Sequence, residues 1–217
     1  MVINLGQNSW ILILLTLLEI LLILVPAFIS SKVEQTSIRQ EILEMGFDEK
    51  FQSYRDLSFK IFIGLLFGLA FYLFGGYINY FFKIILVENL FGSEFVEQAQ
   101  EGTISTEPID PDLLQILIIL ILNVFIVATC EEAFFRGFIL NKLQDKVSNW
   151  VAILFSAICF SFYHVPPFLV PITTILTFFG YYFVFGIILG YIFKYLNASL
   201  LPGIIAHALF NGLLIIF

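Results

Sequence analysis

Long apolar stretches alternate with short polar ones along this 217-residue chain. A helix needs about twenty apolar residues to cross a bilayer, because its backbone groups must be hydrogen-bonded within the segment. The pattern predicts spans near 9–30, 58–82, 113–135, 149–164, 167–194 and 199–217. The sequence therefore predicts an all-α fold, a polytopic transmembrane helical bundle with about six to eight spans around a polar intramembrane cavity. We expect one integral membrane domain over residues 1–217.

Two of these apolar runs carry unusual residues. The first run, residues 10–29, lacks the basic flank and small-residue cleavage site of a secretory signal, so we expect it to remain as a span. Glu19 lies in its middle and is expected to face a neighbouring helix or a water pocket rather than to act in catalysis. The fifth run is long, and Gly180, Gly186 and Gly190 are expected to let it bend or split into two helices.

Composition supports a membrane protein. Hydrophobic residues make up 60% of the chain and charged residues 12%, and the mean hydropathy is +0.99, which is too apolar for a soluble domain. The net charge of −7 argues against a nucleic-acid partner. Cys130 and Cys159 both fall in apolar runs, so we expect them to pack as apolar side chains and not to form a disulfide.

The positions of the lysine and arginine residues predict how the chain is oriented in the membrane. Most of them follow the first, third and fifth spans: Lys32, Arg39, Lys50, Arg55, Lys60, Lys142, Lys146 and Lys194. The opposite side receives essentially only Lys83, so the positive-inside rule predicts six crossings with both termini outside. Residues 31–60 mix apolar and charged residues at helical spacing, which fits either an interfacial amphipathic helix or a solvated connector.

Three polar clusters interrupt the apolar runs of the C-terminal half: Glu131 and Glu132 with Arg136, then His164, then His207 with Asn211. Charged and imidazole groups are costly in hydrocarbon, so their presence indicates chemistry or transport. On a helix, Glu132 and Arg136 stand four apart on one face and can pair, which leaves Glu131 free to point elsewhere. A helix end at which acids and arginine meet water is the alternative for this motif.

The two histidines have different local settings. Pro166 and the next proline mark a helix end, so His164 lies in a last turn, with Phe160 one turn earlier. His207 and Asn211 share one helix face, which should look into the protein. Taken singly, the first could be an ordinary interfacial histidine, and the second pair could be interhelical hydrogen bonding.

Counting residues from the loops estimates the depth of each group. With a turn near 147–149, Glu131 is about seventeen residues up one helix and His164 about sixteen up the next, so both lie at nearly one depth. His207 lies only about ten residues above the turn near Asn197, which places it at a shallower level unless the helix carrying Glu131 bends.

These side chains suit hydrolysis. A carboxylate beside a histidine in a partly dry cavity can hold and deprotonate a water molecule, and His207 with the Asn211 amide can donate hydrogen bonds to an oxyanion. The sequence contains no G-x-S-x-G nucleophile motif, so we expect amide hydrolysis without a covalent enzyme intermediate. We also expect no cofactor. The alternative is Zn²⁺ held by Glu131, His164 and His207 with water in the fourth position, although no H-E-x-x-H helix is present.

The same residues carry a resemblance to a known family. EEAFFR (131–136) matches E-E-x-x-x-R, FSFYH (160–164) matches F-x-x-x-H, and HALFN (207–211) matches H-x-x-x-N. In this order they resemble the CPBP family, the type II CAAX prenyl proteases with the bacteriocin-processing or immunity (Abi) proteins. The similarity covers roughly residues 112–217, a motif-bearing catalytic core.

The resemblance implies an intramembrane endopeptidase built as a helical bundle around a hydrophilic cavity. It implies that Glu131 activates water with help from His164, and that His207 and Asn211 stabilise the oxyanion. The implied site-organising residues are Glu132, Arg136 and Phe160.

The expected partners are a membrane-associated peptide or prenylated protein substrate and the lipid bilayer, in the cell membrane. A non-catalytic immunity or peptide-binding protein of the same family is one alternative. A proton-coupled transporter is another, but it predicts an internal symmetry that the sequence lacks.

Overall fold

The computed structural model describes residues 3–48, 51–105 and 109–217. In these ranges the helices are α1 Ser9–Glu34, α2 Ile38–Ile42, α3 Tyr54–Phe91, α4 Ser93–Glu101, α5 Leu113–Gln144, α6 Asn149–His164, α7 Ile172–Tyr195 and α8 Leu201–Ile216. Two short strands, β1 Ile3–Asn4 and β2 Ile104–Ser105, pair in parallel. Each of the six predicted spans corresponds to one apolar helix.

The apolar helices differ in length. Four of them, α1, α3, α5 and α7, are long and apolar enough to cross a membrane, whereas α6 and α8 have 16 residues each. Sixteen residues rise about 24 Å, slightly less than the roughly 30 Å hydrocarbon core. The predicted all-α membrane bundle is confirmed, and the chain is an integral membrane protein. The number of crossings and the position of the termini stay predictions.

Local sequence signals set several helix ends. The Asn8 side chain accepts hydrogen bonds from the first turn of α1, and Ser53 does the same for α3. Asp112 and Gln115 form a reciprocal capping box at the start of α5. Helix α6 ends at His164, as the prolines that follow it predict.

The fifth run does not split into two helices, because α7 is one unbroken α-helix, Ile172–Tyr195. Its glycines serve close packing instead. A Cβ atom on Gly180 would lie 2.3 Å from the Phe82 ring, and one on Gly186 would lie 2.9 Å from the Cα atom of Ala157. The helical hydrogen bonds therefore stay intact while neighbouring helices approach closely.

The irregular turns lie in α5 instead. Two π-helical segments, Asn123–Ala128 and Ala133–Leu140, flank the short α-helical stretch Thr129–Glu132. Such wide turns are rare and often occur at functional sites. They take up more residues per turn, so Glu131 lies nearer the loop end of α5 than a straight α-helix predicts.

The described part of the stretch 31–60 is not one continuous helix. Helix α1 continues to Glu34, and α2 with the wide turn Leu43–Phe47 folds back onto α5. Met45 is buried there, and a Cβ atom on Gly137 would lie 2.0 Å from the Met45 carbonyl oxygen. Only glycine allows this approach. Lys50, which entered the count of positive charges, lies outside the described residues.

A lysine–glutamate cluster holds this folded-back segment. Lys142 Nζ lies 2.7 Å from Glu34, 2.9 Å from Glu41 and 3.8 Å from Glu44. Glu41 is only 1% exposed, so the ion pair with Lys142 is needed to satisfy a buried charge. The cluster thus ties α2 to the end of α5.

The pKa of Glu41 reflects this setting. Burial alone raises the pKa of this carboxyl group, but hydrogen bonds with Thr36, Ser30 and Lys142 outweigh burial and bring the pKa below its ordinary value of 4.5. The ionised form is therefore the one that the folded protein favours.

Helix α8 packs on α3 through two small residues. Gly64 and Gly68 are four residues apart, the small-xxx-small spacing of close membrane helix pairs. A Cβ atom on Gly64 would lie 2.9 Å from the Pro202 carbonyl oxygen, and one on Gly68 would lie 2.8 Å from that of Ala206. This contact fixes the position of the helix that carries His207.

Cys130 and Cys159 are both free thiols, the first buried and the second half-buried. The predicted apolar packing is confirmed for Cys130, whereas Cys159 packs only at the edge of a hydrophobic cluster.

Candidate active site

Glu131 lies between the two π-helical segments of α5 and is 4% exposed. Its Oε2 atom is buried and has no hydrogen-bond partner among the described residues. This oxygen lies 3.7 Å from His164 Nε2 and 4.0 Å from His207 Nε2. The structure therefore brings together three side chains from α5, α6 and α8.

The expected Glu132–Arg136 ion pair forms inside the protein. Arg136 Nη1 lies 3.0 Å from Glu132 Oε1, and both side chains are buried. Arg136 Nη2 also donates to the Gly186 carbonyl oxygen at 3.3 Å, and the guanidinium lies 4.6 Å from the Phe160 ring centroid. The pair links α5 to α6 and α7, as a site-organising role requires.

Glu132 has a second contact that the sequence did not predict. His207 Nδ1 lies 3.1 Å from the same Glu132 Oε1 that receives Arg136. An ionised carboxylate can only accept, so His207 Nδ1 carries a hydrogen and donates it. This orientation turns His207 Nε2 toward Glu131.

His164 is oriented in the same way by a different acceptor. Its Nδ1 lies 2.9 Å from the Phe160 carbonyl oxygen, which also can only accept, so Nδ1 is protonated. The imidazole is held between the rings of Phe160 and Tyr182, with centroid separations of 4.3 and 4.4 Å. In neutral His164 the Nε2 atom is thus an acceptor that faces Glu131.

The structure differs from the expectation that His207 lies at a shallower level than Glu131. His207 and His164 both reach Glu131 Oε2 within 4.0 Å. The wide turn Ala133–Leu140, which lies between Glu131 and the loop, contributes to this difference because it shortens that part of α5.

Asn211 is not part of this contact network. It is half-buried one turn after His207, and no hydrogen bond to its side chain occurs in the part of the chain that the structure describes. Asn123 is the buried amide nearby. Its Nδ2 donates to the Ala208 carbonyl oxygen at 2.8 Å, while its Oδ1 has no partner among the described residues. Its place in an apolar run was a signal that the sequence reasoning missed.

Two further polar residues border the site. Tyr163 donates its hydroxyl hydrogen to Glu19 Oε1, which links α6 to α1. The expectation that Glu19 faces a neighbouring helix therefore agrees with the structure. Neither tyrosine at the site, Tyr163 or Tyr182, stood out in the sequence, because tyrosine is common in membrane helices.

The donor set of Glu131, His164 and His207 suits zinc chemically, and both imidazoles have the outer acceptors that metal-binding histidines usually have. Tetrahedral zinc holds its ligand atoms about 3.3 Å apart, whereas Glu131 Oε2 lies 3.7 and 4.0 Å from the two nitrogens. Among the described residues, the ligand group found within 4.8 Å of one another is Glu34, Glu41 and Glu44. Zinc at Glu131 therefore requires the three ligands to draw together.

Fold and site together define a class: an integral membrane protein with a buried carboxylate at which two oriented imidazoles converge. Residues 113–213 match the family described as Type II CAAX prenyl endopeptidase Rce1-like. The matched residues contain all three motifs, so the predicted resemblance to the CPBP proteases is confirmed. No curated protein and no solved structure matches the chain significantly.

Proposed function

We propose that the protein is an intramembrane endopeptidase that hydrolyses peptide bonds of membrane-associated substrates with a water molecule activated by Glu131. The observation that carries the proposal is the unpartnered, buried Glu131 Oε2 with two imidazole Nε2 atoms within 4.0 Å. These separations are too long for direct hydrogen bonds, and one water molecule can bridge them. The family match at residues 113–213 supports the same class of activity.

In the proposed reaction Glu131 accepts a proton from the water as its oxygen attacks the scissile carbonyl carbon. His164 Nε2, an acceptor in the neutral ring, holds the water and relays the proton to the leaving nitrogen as the C–N bond breaks. The products are a carboxylic acid and an amine, so no covalent enzyme intermediate is required.

The oxyanion that forms when water attacks the carbonyl carbon needs hydrogen-bond donors. His207 already donates through Nδ1 to Glu132, so its Nε2 donates only when the ring is an imidazolium. The Glu132 carboxylate favours that charged form, and the oxyanion would then receive a charge-assisted hydrogen bond. Asn211 can add its amide after a rotation of its side chain. Arg136 and Phe160 hold Glu132 and the two imidazoles in place.

The proposed substrates are membrane-associated peptides, including prenylated CAAX-type proteins, and the proposed location is the cell membrane. A prenylated substrate would present a lipid-linked cysteine from the bilayer, and a bacteriocin precursor would present a leader peptide.

The test is hydrolysis of a prenylated CAAX peptide and of a bacteriocin precursor by the purified protein, followed by mass spectrometry. Glu131→Gln removes the base while it keeps the shape of the side chain, so we expect cleavage to fall at least a hundredfold with an unchanged thermal midpoint. Glu88→Gln, at a half-buried position near the end of α3, is the matched control and should cleave normally. Undiminished biological activity of Glu131→Gln would favour the non-catalytic immunity or peptide-binding alternative.

The zinc-dependent alternative has its own experiment. Metal-stripped protein is assayed for cleavage while bound zinc is quantified in the same sample. Our proposal expects activity that does not depend on zinc content. Activity proportional to the zinc content would instead indicate a metal-bound water in place of a water activated by Glu131.

A further inference from the structure

A cavity of about 450 Å³ lies beside the site, between α1, α5 and α6. Its wall is apolar, with Leu22, Val25, Pro26 and Phe134 among the lining residues, except for Glu19 and Tyr163. Its volume falls in the range of ligand pockets, about 300–1,000 Å³. It can hold one large side chain together with its flanking peptide units.

Glu19 lines this pocket, and one of its carboxylate oxygens has no hydrogen-bond donor among the described residues. The residue lies in a tight 3₁₀ turn, Leu17–Ile20, inside α1, and such mid-helix turns often mark functional positions. Its Oε1 accepts the hydroxyl hydrogen of Tyr163, whereas its Oε2 is buried without a partner among the described residues. A buried acceptor without a donor is costly, so a ligand that supplies a donor gains that energy.

The pocket adjoins the site through Tyr163 and Glu19. Tyr163 precedes His164 in α6, and their ring centroids are 5.4 Å apart. The Glu19 carboxylate is close enough to His207 and Glu131 for an electrostatic interaction with each. An extended peptide that reaches Glu131 with its scissile bond can therefore place a neighbouring residue against Glu19.

The residues that line the pocket favour some ligands over others. A lipid or prenyl chain matches the apolar surface but has no donor for Glu19 Oε2. A peptide with a large apolar side chain matches both, because its backbone N–H is a donor next to the apolar group. Pocket residues such as Val25 are exposed on the outside of the bundle, so a membrane-embedded peptide has a lateral route to them.

We infer that this pocket is a substrate subsite in which Glu19 Oε2 accepts a backbone N–H of the peptide while the apolar wall holds a large apolar side chain. The inference rests on the proposed endopeptidase function. Glu19 lies outside residues 113–213, so the family match assigns it no role.

Filling the pocket tests the apolar wall. Val25→Trp blocks the cavity, while Leu24→Trp puts the same side chain on the neighbouring position of α1, where Leu24 is 46% exposed against 48% for Val25. Leu24 does not line the cavity. We expect Val25→Trp to raise KM at least tenfold with kcat nearly unchanged, and Leu24→Trp to leave both unchanged. Equal behaviour of the two variants contradicts the subsite.

Methylation of single backbone nitrogens tests the hydrogen bond. Binding of the prenylated CAAX peptide and of the bacteriocin precursor is measured on Glu131→Gln protein in phosphatidylcholine vesicles, so that the result does not depend on cleavage. One N-methyl position should weaken binding roughly ten- to hundredfold. That penalty should disappear in the Glu19→Leu, Glu131→Gln double variant.

The outcomes separate the two proposals. If the N-methyl penalty depends on Glu19 but the wild-type protein does not cleave the peptides, the result supports the subsite and contradicts the endopeptidase function. Cleavage without any Glu19-dependent N-methyl penalty keeps the endopeptidase and overturns the subsite. A photo-crosslinker at position 25 that labels phosphatidylcholine and no peptide also overturns it, as does failure to bind either peptide.

Discussion

Replacing Gly68 of α3 with alanine should push α8, and with it His207, away from its present position. The new Cβ atom would lie 2.8 Å from the Ala206 carbonyl oxygen, whereas ordinary contact begins at 3.4 Å. The two helices must therefore separate by about 0.6 Å at this point, since a backbone carbonyl cannot swing aside. Gly64 meets the Pro202 carbonyl oxygen in the same way, at 2.9 Å.

The magnitude follows from two opposing terms. Overpacking of a tight contact costs about 1–3 kcal/mol, while alanine is about 1 kcal/mol better than glycine in a helix interior. Gly76 supplies the matched control, because it lies in the same helix and a Cβ atom there would have nothing within 4 Å. The free energy of unfolding should therefore be about 1–3 kcal/mol lower for Gly68→Ala than for Gly76→Ala.

The assay combines thermal unfolding in detergent with peptide hydrolysis. A displacement of about 1 Å at a catalytic group can cost about a hundredfold in rate, so a shift of about 0.6 Å should lower kcat roughly tenfold. Gly76→Ala should retain both stability and rate. If Gly64→Ala and Gly68→Ala match Gly76→Ala in both measurements, the account of how α3 positions His207 is refuted.

Two further predictions concern single contacts. Gly203→Ala would put a Cβ atom 2.9 Å from Glu132 Oε2, so kcat should fall about tenfold. Gly212→Ala is the control and should cleave normally, because a Cβ atom there would lie 3.7 Å from its nearest atoms. Equal rates for the two variants would argue that the position of Glu132 is not fixed. Glu41→Gln should destabilise the protein by about 1–3 kcal/mol at pH 7. Because folding lowers the pKa of Glu41, the contribution of the Lys142 ion pair is complete above the ordinary pKa of 4.5 and disappears as the pH falls through the folded value. Thermal midpoints of wild type and Glu41→Gln measured from pH 7 to pH 3 should converge, and a gap that stays constant would contradict this assignment.

The sequence by itself determined the helical elements and the identity of the polar groups. Runs of about twenty apolar residues can satisfy their backbone in a membrane only as helices, and prolines after His164 end α6 where expected. The i, i+4 spacing of Glu132 and Arg136 is a local relation, so their ion pair was predictable as well.

Only the tertiary structure decided how these groups meet. The contact of His207 with Glu132 joins residues 75 positions apart, and it depends on how closely α3, α5 and α8 approach one another. Local spacing does not report such approach: the sequence does not reveal that Gly180 and Gly186 of α7 allow close packing against Phe82 and Ala157. The wide turns of α5 likewise have no simple periodic signature in the sequence.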